Sequence, residues 1–233
     1  MRRSMDAVKA NLAPGQEIVV YKNNSDGKGN SYGCHENYLM ARTVPFTRVV
    51  LHIMPFFVTR QLFCGAGKVG CELAGEHVDF QLSSRADFFE EEVGLETTLK
   101  RPIVNTRDEP HADSQRYRRL HVIVGDANMS EVATYLKLGT TSIVLSMIED
   151  GWLRQNAIDL GVDNPVGSLR AVSHDWSLKE VLTLRDGRTM TALELQLAYC
   201  EQAKKHVEDR PGADVDPATA GVLARWEGTR DRL

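Results

Sequence analysis

The strongest constraint on the fold comes from residues 101–128, which read RPIVNTRDEPHADSQRYRRLHVIVGDAN. Successive side chains of a β-strand point to opposite faces, so Arg119 and His121 share one face, while the alternate residues of 120–124 form an apolar back. Arginine binds phosphate through a planar, permanently charged fork, and a neutral imidazole is a common metal ligand. The pattern therefore predicts a buried strand with a functional site on its polar face.

Composition narrows the class of protein. The 233 residues carry a formal net charge of −4, which argues against a general nucleic-acid binder. The four cysteines form no C-x-x-C pair, and the start MRRSMDAVKANL lacks the apolar core of an export signal. The apolar run 49–58 is too short to span a bilayer. We expect a cytoplasmic protein with reduced thiols and with neither a nucleic-acid nor a membrane partner.

Apolar alternation predicts several strands separated by turn and breaker residues. The predicted strands cover residues 17–21, 31–38, 80–83, 103–107 and 120–124. Residues 44–62 are predicted to be mixed or helical and to end at the glycines of 65–67. The acidic run 90–92 is interpreted as a solvated face, and 65–68 as a turn, because the spacing of a phosphate-binding Walker loop is absent.

Two capping boxes predict helix starts further along the chain. Asn128 with Glu131 predicts a buried helix to about residue 148, and Thr191 with Glu194 predicts an amphipathic helix to about 207. Between them, 152–166 are predicted to be a loop-rich connection, and 181–188 a strand with a hairpin turn. A last helix is expected to start near Pro217.

Two groups of residues are candidates for binding chemistry. If 33–38 is extended, His35 and Asn37 share a face, and an imidazole beside an amide suits a metal and a phosphate or nucleotide oxygen. The alternative, commoner for a lone histidine, is a strand-end residue with a satisfied hydrogen bond. Around the predicted strand at 120–124, Arg107 and Arg119 suit phosphate, and His121 suits a metal. The alternative there is a solvated charged loop. Arg85, taken alone, is interpreted as a surface arginine.

Three long blocks resemble the Pup-processing family, which contains the Pup deamidase/depupylase and the Pup ligase. They are YKNNSDGKGNSYGCHENYL (21–39), RPIVNTRDEPHAD (101–113) and RRLHVIVGDANMSEVATYLKLGTT (118–141). The likeness runs from about residue 5 to about 227. It implies an α+β fold in which a glutamine synthetase-like curved antiparallel sheet, packed with helices, cradles ATP and magnesium. We expect residues 1–151 to be part of that catalytic domain and 152–233 to be an incomplete C-terminal portion with a hairpin and helices.

The blocks also distinguish the two branches of the family. DGKG (26–29), FQLS (80–83), EVGLETTLKR (92–101) and YLKLGTT (135–141) resemble the deamidase/depupylase. GCHEN (33–37) and GAGK (65–68) lean toward the ligase. Because the first set is longer, the deamidase/depupylase branch is favoured.

The resemblance assigns roles to residues that the strand patterns had already singled out. It implies that His35 and His121 are magnesium ligands and that Asn37 and Arg119 contact ATP. It implies that Arg85 and Arg107 hold phosphate or the substrate carboxylate. The last of the three blocks is also similar to the glutamine synthetase stretch in which a strand residue binds the second metal, and His121 occupies that position.

One departure from the family pattern limits what this chain is expected to do. Family members begin with a strand carrying a G-x-E-x-E metal-ligand motif, and a second strand carries the catalytic aspartate. Neither motif is present, so we expect the catalytic aspartate to lie upstream of Met1. A fragment of a longer gene product is favoured over a decayed copy. No catalytic residue is therefore assigned within this chain, and the fragment is expected to be inactive alone.

The implied reaction is ATP- and magnesium-dependent hydrolysis of a side-chain amide at the C-terminal residue of Pup. Deamidation converts the C-terminal glutamine to glutamate, and cleavage of the isopeptide bond to lysine releases a pupylated protein in the Pup–proteasome pathway. The enzymatic alternative is a ligase that forms the same isopeptide bond. The alternative of another class is a non-catalytic Pup-binding module.

Overall fold

A mixed four-stranded sheet carries the central segments of the chain. The computed structural model describes residues 2–73, 77–210 and 215–229. The strands are β1 (Glu36–Ala41), β2 (Lys68–Val69), β3 (Phe80–Gln81), β4 (Phe89–Gly94), β5 (Arg101–Asn105), β6 (Tyr117–Val122), β7 (Val181–Thr183) and β8 (Thr189–Thr191). The helices are α1 (Arg2–Lys9), α2 (Phe46–Thr59), α3 (Gln61–Cys64), α4 (Glu131–Glu149), α5 (Trp152–Gln155), α6 (Pro165–His174), α7 (Ala192–Glu208) and α8 (Pro217–Glu227).

The strand order of the main sheet is β1-β6-β5-β4. β6 runs antiparallel to both β1 and β5, whereas β4 and β5 are parallel. The expectation of a purely antiparallel sheet is therefore wrong. Residues 95–100 carry the chain back to the level of Phe89 before β5 begins, so Phe89 lies opposite Arg101 and the two strands run in the same direction.

The buried core lies between this sheet and the helices. α2 and α4 contribute large apolar side chains such as Phe56 and Val144, and α7 and α8 contribute Leu195 and Trp226 to the same cluster. A buried amide, Gln196, connects these layers: its Nε2 donates to Thr59 Oγ1 at 2.8 Å, and its Oε1 accepts from Trp226 Nε1 at 3.2 Å. The domain boundary near residue 151 stays a prediction, although side chains from both sides of it share this cluster.

Some predicted strands shift and one is wrong. The pattern at 120–124 overlaps β6, which starts earlier at Tyr117 and ends at Val122, whereas that at 31–38 overlaps β1 only at residues 36–38. Residues 80–83 and 103–107 overlap β3 and β5. Residues 17–21 form no strand, and most of them are exposed. Their β-branched residues favour extended backbone, but within the described chain no neighbouring strand pairs with them.

The helix predictions differ at one cap. α4 starts after Ser130, whose Oγ accepts a hydrogen bond from Ala133 N at 3.2 Å, so the predicted N-cap at Asn128 is wrong. Tertiary contacts use the Asn128 side chain instead: it donates to Cys64 O at 2.9 Å and accepts from Lys137 Nζ at 3.0 Å. The capping box at Thr191, the hairpin formed by β7 and β8, and the final helix from Pro217 are confirmed.

Several elements were not predicted from the sequence, among them β4, α5 and α6. The acidic run 90–92 belongs to β4, an edge strand, where Glu90 and Glu92 are exposed. α6 lies in and beyond the segment expected to be loop-rich, and Asn164 caps it by accepting from Gly167 N at 3.0 Å. Among the described helices, none combines the length and apolarity needed to cross a membrane.

Candidate functional site

The polar side chains of β1 and β6 meet on one face of the sheet. In the antiparallel register Asn37 lies opposite His121, and Leu39 lies opposite Arg119. Asn37 Oδ1 is 3.0 Å from His121 Nδ1 and accepts a hydrogen bond from Arg119 Nη1 at 3.1 Å. Three of the predicted site residues are therefore in direct contact: the period-two pattern puts Arg119 and His121 on one face of β6, and the pairing with β1 brings Asn37 to them.

These contacts fix the protonated nitrogen of His121. A guanidinium can only donate, so the Asn37 atom that faces Arg119 is the acceptor oxygen. His121 Nδ1 lies 3.0 Å from the same oxygen and must carry the proton in the neutral ring. Nε2 is then left with a free lone pair. A hydrogen bond that holds the other ring nitrogen in this way is the usual support of a metal-ligating histidine.

His35 lies beside His121, with the ring centroids 5.1 Å apart and the rings nearly perpendicular. Burial, followed by the charges of Arg85 and Arg107, lowers the pKa of His35. Burial, followed by the charge of Arg119 and the other nearby cationic groups, lowers the pKa of His121 to about 4. Both imidazoles are therefore neutral at pH 7, which is the form that ligates a metal.

Arg85 is buried against the same region, with 2% of its surface exposed. Its Nε donates to Ser31 Oγ at 3.1 Å and its Nη1 donates to Gly125 O at 3.3 Å. The guanidinium fills the space beside Gly33, where an added Cβ would lie 1.5 Å from Nη1. Burial lowers the pKa of Arg85 to about 10, so it stays charged at neutral pH. The interpretation of Arg85 as a surface residue is wrong.

The loop after β5 approaches the site from the other side. Arg107 is exposed, and its charge acts on both imidazoles. Glu109 forms an ion pair with Arg119, with Oε2 2.6 Å from Nη2. Asp108 anchors the loop through a two-pronged ion pair with Arg42, at 2.9 and 3.2 Å, and accepts from Arg119 N at 3.1 Å.

The residues present fit part of a metal site. Within residues 2–73, 77–210 and 215–229, no three His, Cys, Asp or Glu side chains are grouped so that they could hold a metal ion. His35 and His121 provide two neutral nitrogen donors whose rings are in contact. Magnesium prefers oxygen ligands in octahedral geometry, so it would need oxygens from water, a phosphate or other groups in addition to these nitrogens.

Sequence reasoning missed a buried aspartate beside this site. Asp126 is 2% exposed and accepts hydrogen bonds from Ser83 Oγ and from the backbone N–H groups of Ala66 and Ser84. Burial raises the pKa of this carboxyl, although the hydrogen bonds and the nearby Arg85 oppose the shift. Its position in the turn GDAN, just after the clearest predicted strand, was the available signal.

Comparison with known proteins places the chain in a family of Pup-processing enzymes. The profile of the family described as "Pup-ligase protein" matches residues 1–233, and the chain belongs to this family. It is 66% identical over 224 residues to the depupylase of Acidothermus cellulolyticus, a match covering 96% of this chain and 44% of that protein. It is 51% identical over 234 residues to the Pup deamidase/depupylase of Mycolicibacterium smegmatis, covering 99% of this chain and 46% of that protein.

The ligase branch is also similar. The Pup–protein ligase of Actinosynnema mirum is 49% identical over 219 residues, which cover 94% of this chain and 47% of that protein. Among solved structures, the Pup ligase PafA in complex with ADP superposes with a TM-score of 0.79 at 43% identity, covering 97% of this chain and 49% of that chain. The chain spans about half the length of the curated relatives that it matches.

Proposed function

We propose that this chain is part of an ATP- and magnesium-dependent amidohydrolase that acts on Pup. The enzyme deamidates the C-terminal glutamine of Pup to glutamate and cleaves the isopeptide bond between Pup and a substrate lysine. The observation that carries the proposal is the 66% identity to a depupylase, compared with 49% to a Pup ligase. Its partners are Pup and pupylated proteins, with a functional link to the proteasome. The four free cysteines support a cytoplasmic location.

The fold proposal is a partial glutamine synthetase-like catalytic domain over residues 1–151, followed by the first part of a C-terminal portion over 152–233. The TM-score of 0.79 to the Pup ligase supports the architecture. The four-stranded sheet with two neighbouring histidines on one face is consistent with a nucleotide and metal cradle.

The residue roles follow from the chemistry of each side chain. His35 and His121 would hold magnesium through neutral imidazoles, and Arg119 with Asn37 would hold ATP. Arg85 and Arg107 would bind phosphate or the carboxylate of the Pup terminus, because the planar guanidinium fork suits both anions. When bound, the metal neutralises phosphate charge. The remaining ligands, and the aspartate that activates the nucleophile, are assigned to the rest of the full-length enzyme.

Turnover by the full-length enzyme tests this proposal. With Pup ending in glutamine, we expect release of ammonia, and with pupylated protein we expect release of free Pup. His121→Asn should lower both rates at least about tenfold, since it removes a ligand. His77→Asn is the matched control, because the His77 side chain is exposed. Isopeptide formation without hydrolysis would establish the ligase instead.

The ligase is kept as the second candidate because two solved structures of the Pup ligase PafA resemble this chain, one of them a complex with Pup. A non-catalytic Pup-binding module is the remaining alternative. Binding of labelled Pup by the full-length protein, with neither hydrolysis nor ligation, would favour that module over both enzymes.

A further inference from the structure

A chain of hydrogen bonds connects Asp126 to the backbone of Arg85. Asp126 Oδ1 accepts from Ser83 Oγ at 3.0 Å, and the same hydroxyl oxygen accepts from Arg85 N at 3.3 Å. Asp126 Oδ2 accepts from Ala66 N at 2.8 Å and from Ser84 N at 3.0 Å. One buried carboxylate therefore holds the two residues that precede Arg85 and ties them to the loop after α3.

The turn that contains Asp126 also contacts the guanidinium. Gly125 O accepts from Arg85 Nη1 at 3.3 Å, so the turn holds both ends of the arginine. Lys137, buried in α4, fixes this turn by donating to Asp126 O at 2.6 Å and to Asn128 Oδ1 at 3.0 Å. Since the turn directly follows the strand of His121, Arg85 and His121 are attached to one rigid unit.

Asp126 also affects Arg85 through its charge. Asp126 and Arg85 are each 2% exposed and carry opposite charges, so the carboxylate offsets part of the cost of burying the guanidinium. The Asp126 carboxylate itself contacts hydroxyl and backbone donors. The guanidinium is therefore stabilised without a direct ion pair with Asp126.

We propose that Asp126 is a positioning residue for Arg85: it holds the guanidinium beside Gly33 and in contact with Gly125 O. The inference rests on the proposed function in one respect, that Arg85 binds the phosphate or carboxylate of a ligand. The placement of Arg85 by Asp126 is a separate, structural claim.

The first measurement does not depend on ligand. Asp126→Asn keeps the size of the side chain but replaces one of the two acceptor oxygens by an N–H₂ group. The remaining oxygen cannot serve all three donors as the carboxylate does. We expect faster hydrogen exchange at the Ser84 and Arg85 amides and a displaced guanidinium in a crystal structure, with His121 unmoved. Ser83→Ala removes the relaying hydroxyl alone and should give a smaller change in the same direction. An unchanged Arg85 position in both variants would overturn the proposal.

The second measurement is affinity for ADP in the presence of magnesium chloride, by calorimetry on the full-length protein. Asp126→Asn should weaken binding about tenfold, as loss of a supporting residue does in other sites. In an Arg85→Ala background, the same substitution should cause no further loss, because Asp126 acts through Arg85. An additive loss would overturn the proposal.

Asp87→Asn is the matched control. Asp87 is a buried aspartate two residues after Arg85, and it accepts from Glu72 N, Gln81 Nε2 and His174 rather than from the Arg85 backbone. Asp87→Asn should lower stability but leave the affinity for magnesium–ADP within about threefold of the wild type. A loss of affinity equal to that of Asp126→Asn would indicate general loosening of the loop and would overturn the proposal. If the wild-type enzyme binds no magnesium–ADP, the proposed function fails, while exchange and crystallography still decide whether Asp126 places Arg85.

Discussion

The two faces of the β1–β6 pair differ in how their charged side chains are paired. On the back face, Glu36 and Arg60 form a fully buried ion pair with two contacts, 2.7 and 2.9 Å long. Tyr38 donates its hydroxyl to the same carboxylate at 2.6 Å, and Thr141 accepts from Arg60 at 2.7 Å. On the front face, the charges of Arg85, Arg107 and Arg119 act on the two imidazoles, which are neutral and add no charge of their own.

This difference separates charge used for folding from charge used for binding. The back face is balanced within the chain: burial disfavours the charged form of Arg60, but Glu36 outweighs it and raises the pKa of the arginine. On the front face, Arg119 is paired with Glu109, which is largely exposed, and Asp108 of the same loop is paired with Arg42. The front face therefore keeps an excess of positive charge, which suits an anionic ligand.

The largest effect is expected from unbalancing the back face. Glu36→Gln keeps the shape of the side chain but leaves Arg60 buried without a counter-charge. Removing one partner of a buried pair costs about 3–5 kcal/mol, which urea denaturation followed by circular dichroism measures directly. Glu227→Gln, in the exposed pair with Lys204, is the control and should change stability by less than about 1 kcal/mol. A loss below about 1 kcal/mol for Glu36→Gln would contradict the comparison.

A smaller stability effect with a clear binding effect is expected on the front face. Gly33→Ala places a Cβ 1.5 Å from Arg85 Nη1 and 2.3 Å from Cζ, so the guanidinium must move. We expect a stability loss of about 1–3 kcal/mol from overpacking and weaker binding of magnesium–ADP. The double variant Gly33→Ala/Arg85→Ala is the control, since it removes the clash. If Gly33→Ala lowers the stability of the Arg85→Ala variant as much as that of the wild type, the loss does not come from a clash with the arginine.

The front face was largely predictable from sequence, and the reason is local. A period of two places Arg119 with His121, and separately His35 with Asn37, whatever the rest of the chain does. What the sequence could not give is the pairing that sets Asn37 opposite His121, because register depends on how distant segments meet. The burial of Arg85 was also missed, since it comes from residues such as Ser31 and Gly125 far along the chain.

On the back face, the apolar side chains of β6 were predicted, but the buried ion pair was not. Glu36 and Arg60 are 24 residues apart, and neither the strand nor the helix pattern connects them. The same limit explains two of the errors. Residues 17–21 have strand propensity but pair with no strand of the described chain, and the capping side chain of Asn128 contacts Lys137 and Cys64 instead. Elements fixed by local chemistry, such as the Thr191 capping box, were predicted correctly.

The ion pair of Asp108 is expected to make the free energy of unfolding depend modestly on pH. Burial raises the pKa of Asp108, but hydrogen bonds from Arg42 and from Arg119 N outweigh it, and the net pKa is below the ordinary 3.8. Because the folded pKa is depressed, this stabilisation is present above about pH 3.8 and is lost as pH falls through the folded value. Asp108→Asn should reduce the acid-dependent loss of the free energy of unfolding by less than about 1 kcal/mol, since the pair is partly exposed. If the free energy of unfolding falls equally in the variant and the wild type in urea titrations from about pH 5 to pH 2, this prediction is contradicted.

The smallest effect is expected from the carboxylate that pairs with Arg119. Glu109 occupies Arg119 Nη2, so an anionic ligand must share or displace it. Glu109→Gln should therefore tighten magnesium–ADP binding by up to about threefold at low ionic strength, because exposed ion pairs contribute little. The gain should shrink in 0.5 M salt, since screening weakens exposed charges. Asp186→Asn, in the exposed pair with Arg188, is the control and should change nothing. Weaker binding by Glu109→Gln would mean that Glu109 orients Arg119 rather than competing for it.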